Sequence, residues 1–270
     1  MRCLYINRDS AADRRAHVEA NFAATAPAGW ELVRIPAIEA AEITDPPAPL
    51  TPSERACWLS HRKALASTVQ DPDDVFIIED DTQFSPRAFG LLMRMMAATP
   101  ACEVLFSEVM PTDLALMAHF ARQWPTLAKG GNFLLHDLAR TRFAGASAYL
   151  VRGTVKARLL AELDDPAHAA TPYDIVLSNL ARGGRLQARV CFPFLTTPSP
   201  DADASQIQVE RSRLREATFH AYRRLMFVDR ELGERRGELD RVAAAHGDEG
   251  AALAGMVFAA LISEAFPDSY

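Results

Sequence analysis

The sequence predicts an α/β fold, with a mixed, mostly parallel sheet that carries helices on both faces. Short apolar runs of strand length alternate with amphipathic stretches of helix length as far as residue 192, an alternation typical of sheets built from β-α-β units. The 270 residues are 49% hydrophobic and 24% charged, so the chain can bury a sizeable core. A densely charged pattern of helical period follows. We therefore expect one domain over residues 1–205 and a helical C-terminal extension over residues 206–270.

The predicted strands are short, β-rich apolar runs bounded by turn-forming residues. In chain order they cover residues 3–6, 31–35, 75–78, 104–106, 143–151 and 186–192, and Gly145 falls inside the fifth of them. Residues 129–133 are expected to form a loop. The Pro- and Asp-rich residues 193–205 are expected to form a lid or a linker.

Several of the predicted helices begin at capping signals. Thr51 and Glu54 fit a capping box with Pro52 at the first helical position, and Ser10 with Asp13 resembles a box in which Asp replaces Glu. The apolar periodicity then predicts helices over about residues 10–25, 51–70, 86–98, 111–124, 153–163, 171–182 and 206–245.

Composition and charge argue against several classes of protein. A formal net charge of −6 disfavours a nucleic-acid-binding protein that depends on bulk electrostatics. The chain has no run of about 18 apolar residues, so no transmembrane helix is expected. It enters a strand pattern at its first residues, without a secretory leader, and the four cysteines form no C-x-x-C pair. We therefore expect a cytoplasmic protein with free thiols.

The strongest chemical signal is an apolar strand that runs into three acids, Glu79, Asp80 and Asp81. The carboxyl ends of strands are where open α/β sheets bind ligands. Because side chains alternate along a strand, Glu79 and Asp81 are expected to point one way and Asp80 the other. Carboxylate oxygens suit Mg²⁺ or Mn²⁺, so Asp81 and Glu79 are predicted metal ligands. The alternative is a solvated turn.

Two arginines follow the first strand closely. Asn7 ends that strand, and Arg14 and Arg15 fall in the first turn of the next helix. Free backbone N–H groups and the helix dipole favour an anion there, and guanidinium groups suit a diphosphate. The alternative is a solvated helix face.

A small-polar face is predicted on the helix that begins at Thr51. Cys57, Ser60, His61 and Ala64 are three or four residues apart and share one side of it. This face could line a pocket, or it could be a helix seam in which His61 makes one structural hydrogen bond.

Asp174 has two interpretations. It is the third residue after Thr171, where a carboxylate closes a capping box. At a helix N-terminus it could instead be a general base aimed at a sugar hydroxyl.

Five segments, taken in order, resemble glycosyltransferase family 25, the group that includes bacterial lipooligosaccharide galactosyltransferases. An LSH element followed by EDD at this separation is fairly specific, and the similarity covers about residues 1–205. The segments are LYINRDSAADRR (4–15), ERACWLSHRKAL (54–65), FIIEDDTQFSPRAF (76–89), FAGASAYLVR (143–152) and PYDIVL (172–177).

The resemblance implies a GT-A-like fold, a UDP-sugar as donor and a divalent cation, commonly Mn²⁺. It implies inverting transfer of a hexose, such as galactose or glucose, to a hydroxyl of a glycan or lipid-linked glycan acceptor in cell-surface glycan synthesis. An inverting reaction needs a base, for which Asp174 is preferred to Asp80. By position, Glu79 and Asp81 match the motif for the metal and donor, and Asn7, Arg14 and Arg15 match the motif near the nucleotide. Ser60 and His61 match the LSH element, and Tyr149 and Asp174 match later motifs.

Two other functions remain open on the sequence. One is a non-catalytic protein of the same fold that binds a nucleotide or a partner. The other is a metal-dependent phosphate-cleaving enzyme, which would need further ligands at later strand ends. The C-terminal extension is expected to pack its apolar stripe on the catalytic domain or across a homodimer interface. Peripheral contact with an anionic membrane is the alternative.

Overall fold

A computed structural model describes residues 1–199, 202 and 213–229. The helices are α1 (Ala12–Thr25), α2 (Pro52–Ala66), α3 (Ala88–Ala98), α4 (Leu114–Gly130), α5 (Lys156–Leu163), α6 (Tyr173–Arg182) and α7 (Arg213–Leu225). The strands are β1 (Arg2–Asn7), β2 (Glu31–Pro36), β3 (Val75–Glu79), β4 (Thr82–Phe84), β5 (Val104–Phe106), β6 (Met110–Pro111), β7 (Leu134–Asp137), β8 (Phe143–Ala144), β9 (Ala148–Val151), β10 (Ala188–Phe192) and β11 (Thr196–Pro198).

The predicted α/β class with a mixed, mostly parallel sheet is confirmed. Seven strands lie in the order β2-β1-β3-β9-β5-β10-β7. β1 pairs in parallel with β2 and β3, and β5 pairs in parallel with β10. β9 runs antiparallel between β3 and β5, and β7 runs antiparallel at the edge beside β10. Five of the seven strands therefore point in one direction.

The chain switches direction across the sheet beside β1. It leaves β1 through α1 to β2 on one side, and returns through α2 to β3 on the other. Phe22 of α1 belongs to the buried cluster that contains Phe76, while Leu65 of α2 belongs to the cluster that contains Ile77. Phe76 and Ile77 are neighbours on β3 and face opposite sides of it, so α1 and α2 cover opposite faces. Such a switch point opens a crevice at the carboxyl ends of the strands.

The middle of the chain departs from the predicted pattern. The single strand predicted over 143–151 is wrong, because the backbone turns at Gly145, which has φ +81°, and separates β8 from β9. α4 begins after Asp113, which caps it, and extends beyond the predicted end to include Gly130. β7 was not predicted, since its side chains are only partly buried and its four residues give too short a pattern.

One capping prediction is confirmed and two are wrong. Thr51 and Glu54 form the predicted capping box of α2. α1 begins at Ala12 with Ala11 as its N-cap, so the Ser10–Asp13 box does not form. α6 begins at Tyr173 with Pro172 as its N-cap, which places Thr171 outside the helix.

The segment after β10 is part of the packed structure. Residues 194–199 are buried, and β11 pairs antiparallel with β4, so the lid or linker expected there is wrong for the residues described. Tyr222, Leu225, Phe227 and Val228, at and after the end of α7, are buried. These side chains of the predicted apolar stripe therefore pack within the described part of the chain. Of the helix predicted over 206–245, residues 206–212 and 230–245 lie outside the described residues. No helix in the described ranges is long and apolar enough to cross a membrane.

Candidate functional site

A cavity of about 460 Å³ opens at the carboxyl ends of β1 and β3. The loop after β1, the start of α1, one face of α2 and the residues after β3 form its walls. Most of the predicted site residues line it, namely Arg14, Ser60, His61, Glu79, Asp80 and Asp81. A second cavity of the same volume lies between α4 and β7, and its lining contains only residues from the 119–141 region. The switch point, where α/β sheets bind ligands, is therefore the better site.

The three acids sit at a turn. β3 ends at Glu79, and the chain turns at Asp80 and Asp81 before β4. One guanidinium nitrogen, Arg14 Nη1, lies 3.3 Å from Asp80 Oδ1 and 3.8 Å from Asp81 Oδ2. The prediction that Asp80 points away from its neighbours is wrong, because the strand pleat has already ended.

The charges of the acidic turn are only partly compensated. Burial, together with the charges of Glu79 and Asp80, raises the pKa of Asp81 to about 7. Burial also raises the pKa of Asp80. Burial acts in the same direction on Glu79, but the hydrogen bond from His61 and that residue's charge outweigh it, so the pKa of Glu79 is lowered. The charges of Arg14 and Arg223 do not outweigh these effects at Asp81, and the turn therefore favours a further cation.

Asn7 positions Asp80 from behind the cavity wall. Its side chain is buried at the end of β1, where Nδ2 donates to Asp80 Oδ2 at 2.8 Å and to the Ala11 carbonyl at 3.1 Å. Its Oδ1 accepts from Arg34 Nε at 2.9 Å. The amide thus links β1, the start of α1 and the acidic turn.

The two adjacent arginines have different environments. Arg14 lines the cavity beside the acids, whereas Arg15 lies outside the cavity lining. The charge of Arg15 acts on Tyr5 and Asp9 instead, and contributes to lowering the pKa of Asp9. Of the two arginines that were predicted to contact a diphosphate, Arg14 lines the cavity and Arg15 does not.

His61 stands at the centre of a buried chain of hydrogen bonds. Nε2 lies 3.2 Å from Glu79 Oε1, Nδ1 lies 3.0 Å from the Tyr149 hydroxyl, and that hydroxyl lies 2.8 Å from the Tyr173 hydroxyl. The imidazole also stacks on the Tyr173 ring, with centroids 4.5 Å apart. Since an ionised carboxylate only accepts, Nε2 donates to Glu79. In a neutral imidazole Nδ1 would then accept from Tyr149. Burial raises the pKa of both tyrosines, which keeps them protonated donors.

Ser60 has a structural role. Its hydroxyl donates to the Ala56 carbonyl at 2.7 Å and accepts from the Ile38 N–H at 2.8 Å. These bonds tie the loop after β2 to α2. The helix-seam interpretation therefore fits Ser60, while His61 faces the acids.

Asp174 holds the turn between β8 and β9. Its Oδ2 accepts from the Gly145 N–H at 2.8 Å, and its Oδ1 accepts from the Ile175 N–H at 2.9 Å. The predicted capping box with Thr171 is wrong, because Pro172 is the N-cap. Asp174 lies outside the lining of the cavity, and its role as a base stays a prediction.

Sequence reasoning missed a buried ion pair behind the acidic turn. Arg223 Nη1 of α7 donates to Glu108 Oε1 at 3.0 Å and to Ser147 Oγ at 3.0 Å. The positive charge of Arg223 acts to lower the pKa of both Glu79 and Asp81, although at Asp81 burial and the neighbouring acids outweigh it. The sequence did contain a signal for Glu108, because this acid closely follows a buried apolar strand, as Glu79 ends one. It contained no signal for Arg223, which lies in a run of alternating charges.

The backbone of the acidic turn is held from the C-terminal side. The Ser199 N–H donates to the Asp81 carbonyl at 2.7 Å. Arg224 in turn donates to the carbonyls of Pro198 and Ser199, at 3.0 and 2.6 Å. α7 and the segment that contains β11 therefore fix the position of the turn.

Comparisons with protein-family models and with curated proteins give no match for this chain. The chemistry is therefore argued from the site itself. The acids offer oxygen ligands for a cation, while Arg14, which lies beside them, and the first turn of α1 offer donors for an anion in the same cavity.

Proposed function

We propose that this protein is an inverting glycosyltransferase on a GT-A-like fold. It moves a hexose, galactose or glucose, from a UDP-sugar to a hydroxyl of a glycan acceptor in cell-surface glycan synthesis. The observation that carries the proposal is the acidic turn at residues 79–81, which faces a cavity of about 460 Å³ at the switch point of the sheet. The family resemblance of residues 1–205 supports the same reaction class.

The acidic turn fits a divalent cation. The pKa of Asp81 is raised to about 7 because burial and the charges of Glu79 and Asp80 outweigh the positive charges of Arg14 and Arg223. Hard oxygen ligands of this kind suit Mn²⁺ or Mg²⁺. Asp81 and Glu79 would hold the ion. When bound, such an ion neutralises the charge that develops on a leaving diphosphate.

The first turn of α1, which also lines the cavity, fits the anionic part of a nucleotide-sugar. Arg14 lies in the first turn of α1, where backbone N–H groups lack intrahelical partners. A diphosphate there receives donors from the helix terminus and from a guanidinium group. The cavity volume also lies within the usual range for a small-molecule site.

The contacts favour Asp80 over Asp174 as the base. Asp80 lines the cavity, and burial raises its pKa towards the range in which a carboxylate accepts a proton efficiently. Asn7 and Arg14 orient it. Asp174 instead lies outside the cavity lining, where it accepts from the backbone N–H groups of Gly145 and Ile175.

The test is UDP release from a panel of UDP-sugars with and without Mn²⁺. We expect Mn²⁺-dependent release from one donor, raised by an acceptor glycan and abolished in Asp81→Asn. Asp80→Asn should lower kcat by roughly 10²-fold with donor binding preserved, whereas Asp174→Asn serves as the comparison variant. Donor binding without turnover would indicate the non-catalytic alternative. Failure of every UDP-sugar to raise the thermal stability with Mn²⁺ present would contradict the proposal.

A further inference from the structure

We propose that Cys57, His61 and Glu79 form a zinc site, which shares Glu79 with the oxygen-ligand site proposed at the acidic turn. The thiol sulfur, an imidazole nitrogen and a carboxylate oxygen of these residues all lie within 4.8 Å of one another. Cys57 and His61 are four residues apart on one face of α2, and Glu79 meets them from the end of β3. All three line the cavity.

The donor set selects the metal. Sulfur, imidazole nitrogen and carboxylate oxygen are the ligands of tetrahedral Zn²⁺, whereas Mn²⁺ and Mg²⁺ prefer oxygen. In such a site the ligand atoms are separated by roughly 3.3–3.8 Å, as follows from metal–ligand bonds of about 2.0–2.3 Å. Nε2 of His61 and Oε1 of Glu79 are already 3.2 Å apart. The three ligand atoms, which lie within 4.8 Å of one another, would have to close to this range around one ion. Because all three residues line the cavity, a fourth ligand would reach the ion from there.

The two buried tyrosines can support the metal-bound form of the imidazole. A metal on Nε2 requires the ring proton on Nδ1, which then donates to the Tyr149 hydroxyl at 3.0 Å. The Tyr149 hydroxyl can turn its own proton towards Tyr173 at 2.8 Å, because a hydroxyl both donates and accepts. Metal-binding histidines are commonly held by such a partner on their second nitrogen.

The protons balance in this exchange. A neutral imidazole keeps its single proton, which moves from Nε2 to Nδ1, and Glu79 stays ionised. Cys57 binds as a thiolate, so each Zn²⁺ releases one proton to solvent.

Glu79 belongs to both proposed metal sites, so occupancy of one weakens the other. Zn²⁺ should therefore inhibit the Mn²⁺-dependent transfer in competition with Mn²⁺. This consequence rests on the proposed function, whereas zinc binding itself does not.

The experiment is a Co²⁺ titration of the whole chain without nucleotide, followed by optical absorption. We expect a thiolate-to-cobalt charge-transfer band with the visible bands of a tetrahedral site, both removed by one equivalent of Zn²⁺. Cys57→Ser should lose the charge-transfer band. Cys102→Ser is the matched control and should keep it, because Cys102 is buried elsewhere and donates to the Val104 carbonyl. Tyr149→Phe should weaken the affinity roughly 10- to 100-fold.

Absence of the charge-transfer band in the wild-type protein, or its survival in Cys57→Ser, would overturn the zinc site. If Cys57→Ser does not fold, Glu79→Gln provides the second test, and an unchanged visible spectrum in that variant would equally overturn the site. The two proposals fail separately. Cobalt bands without UDP release support the zinc site and contradict the transferase, while Mn²⁺-dependent release without the bands contradicts only the zinc site.

Discussion

Asp81 carries a carboxyl group that the folded chain keeps protonated up to about pH 7, because burial and the charges of Glu79 and Asp80 disfavour its ionisation. The folded state therefore binds this proton more tightly than the unfolded state does. Stability from the protonated group is present at low pH, and it is lost as the pH rises from about 4 to about 7. A bound cation would offset this loss.

Replacement of Asp81 by Asn should stabilise the metal-free protein at pH 8 and abolish transfer. The neutral amide removes the cost of ionising a mostly buried carboxyl group, which is roughly 2–4 kcal/mol for a shift of this size. Chemical denaturation at pH 8 with a chelator present measures the gain. The gain should nearly vanish at pH 4, and a variant less stable than wild type at pH 8 would contradict the charge argument.

Arg14 and Arg15 are adjacent in sequence but differ in their contacts, so matched variants separate them. Arg14→Gln should raise the donor KM and weaken UDP binding about tenfold or more, because one charge-assisted contact to the diphosphate is lost. Arg15→Gln should leave both values within about twofold. Titration calorimetry with UDP provides the measurement, and equal effects of the two variants would contradict the assignment of Arg14.

At the scale of elements, α7 contributes to the site through charge as well as through packing. Arg223 and Glu108 are both buried, and their ion pair joins α7 to the chain that follows β5. Arg224 holds the carbonyls beside β11. These contacts make the described part of the C-terminal extension a support for the acidic turn.

Loss of Arg223 should therefore be costly. Arg223→Met leaves Glu108 as an unpaired buried charge and should lower the free energy of unfolding by about 3–5 kcal/mol. The double variant Glu108→Gln with Arg223→Met should recover most of that loss, because no buried charge remains. Urea denaturation of the three proteins tests this, and a double variant no more stable than Arg223→Met would show that packing, not charge, dominates.

The elements that the sequence predicts correctly are those whose sequence pattern is local. β1, β3 and β5 are buried apolar runs, and the capping box of α2 is entirely local, so the sequence predicts them well. The break at Gly145 depends on a hydrogen bond from its N–H to Asp174, which is 29 residues away. No local pattern contains that bond.

At the scale of the whole molecule, the switch point gathers groups from four segments into one cavity. If the proposed cation binds there, proton and metal binding compete. We expect the apparent Mn²⁺ affinity to rise roughly tenfold per pH unit below about pH 7 and to level above it, because one proton leaves Asp81 for each cation bound. Titration calorimetry at constant ionic strength measures this profile. Asp81→Asn should flatten it, and an affinity independent of pH in the wild type would contradict competition at Asp81.

The sequence by itself determined the class of fold, the acidic strand end and the candidate residues Arg14, His61, Glu79, Asp80 and Asp81, because these depend on local periodicity and on residue chemistry. Only the tertiary structure decided that Arg14 faces the cavity while Arg15 does not, and that Asp80 turns towards it. It also decided that Asp174 holds a backbone turn, and that a buried arginine lies behind the acids. These outcomes depend on contacts between segments far apart in the chain, whose distances no local pattern encodes.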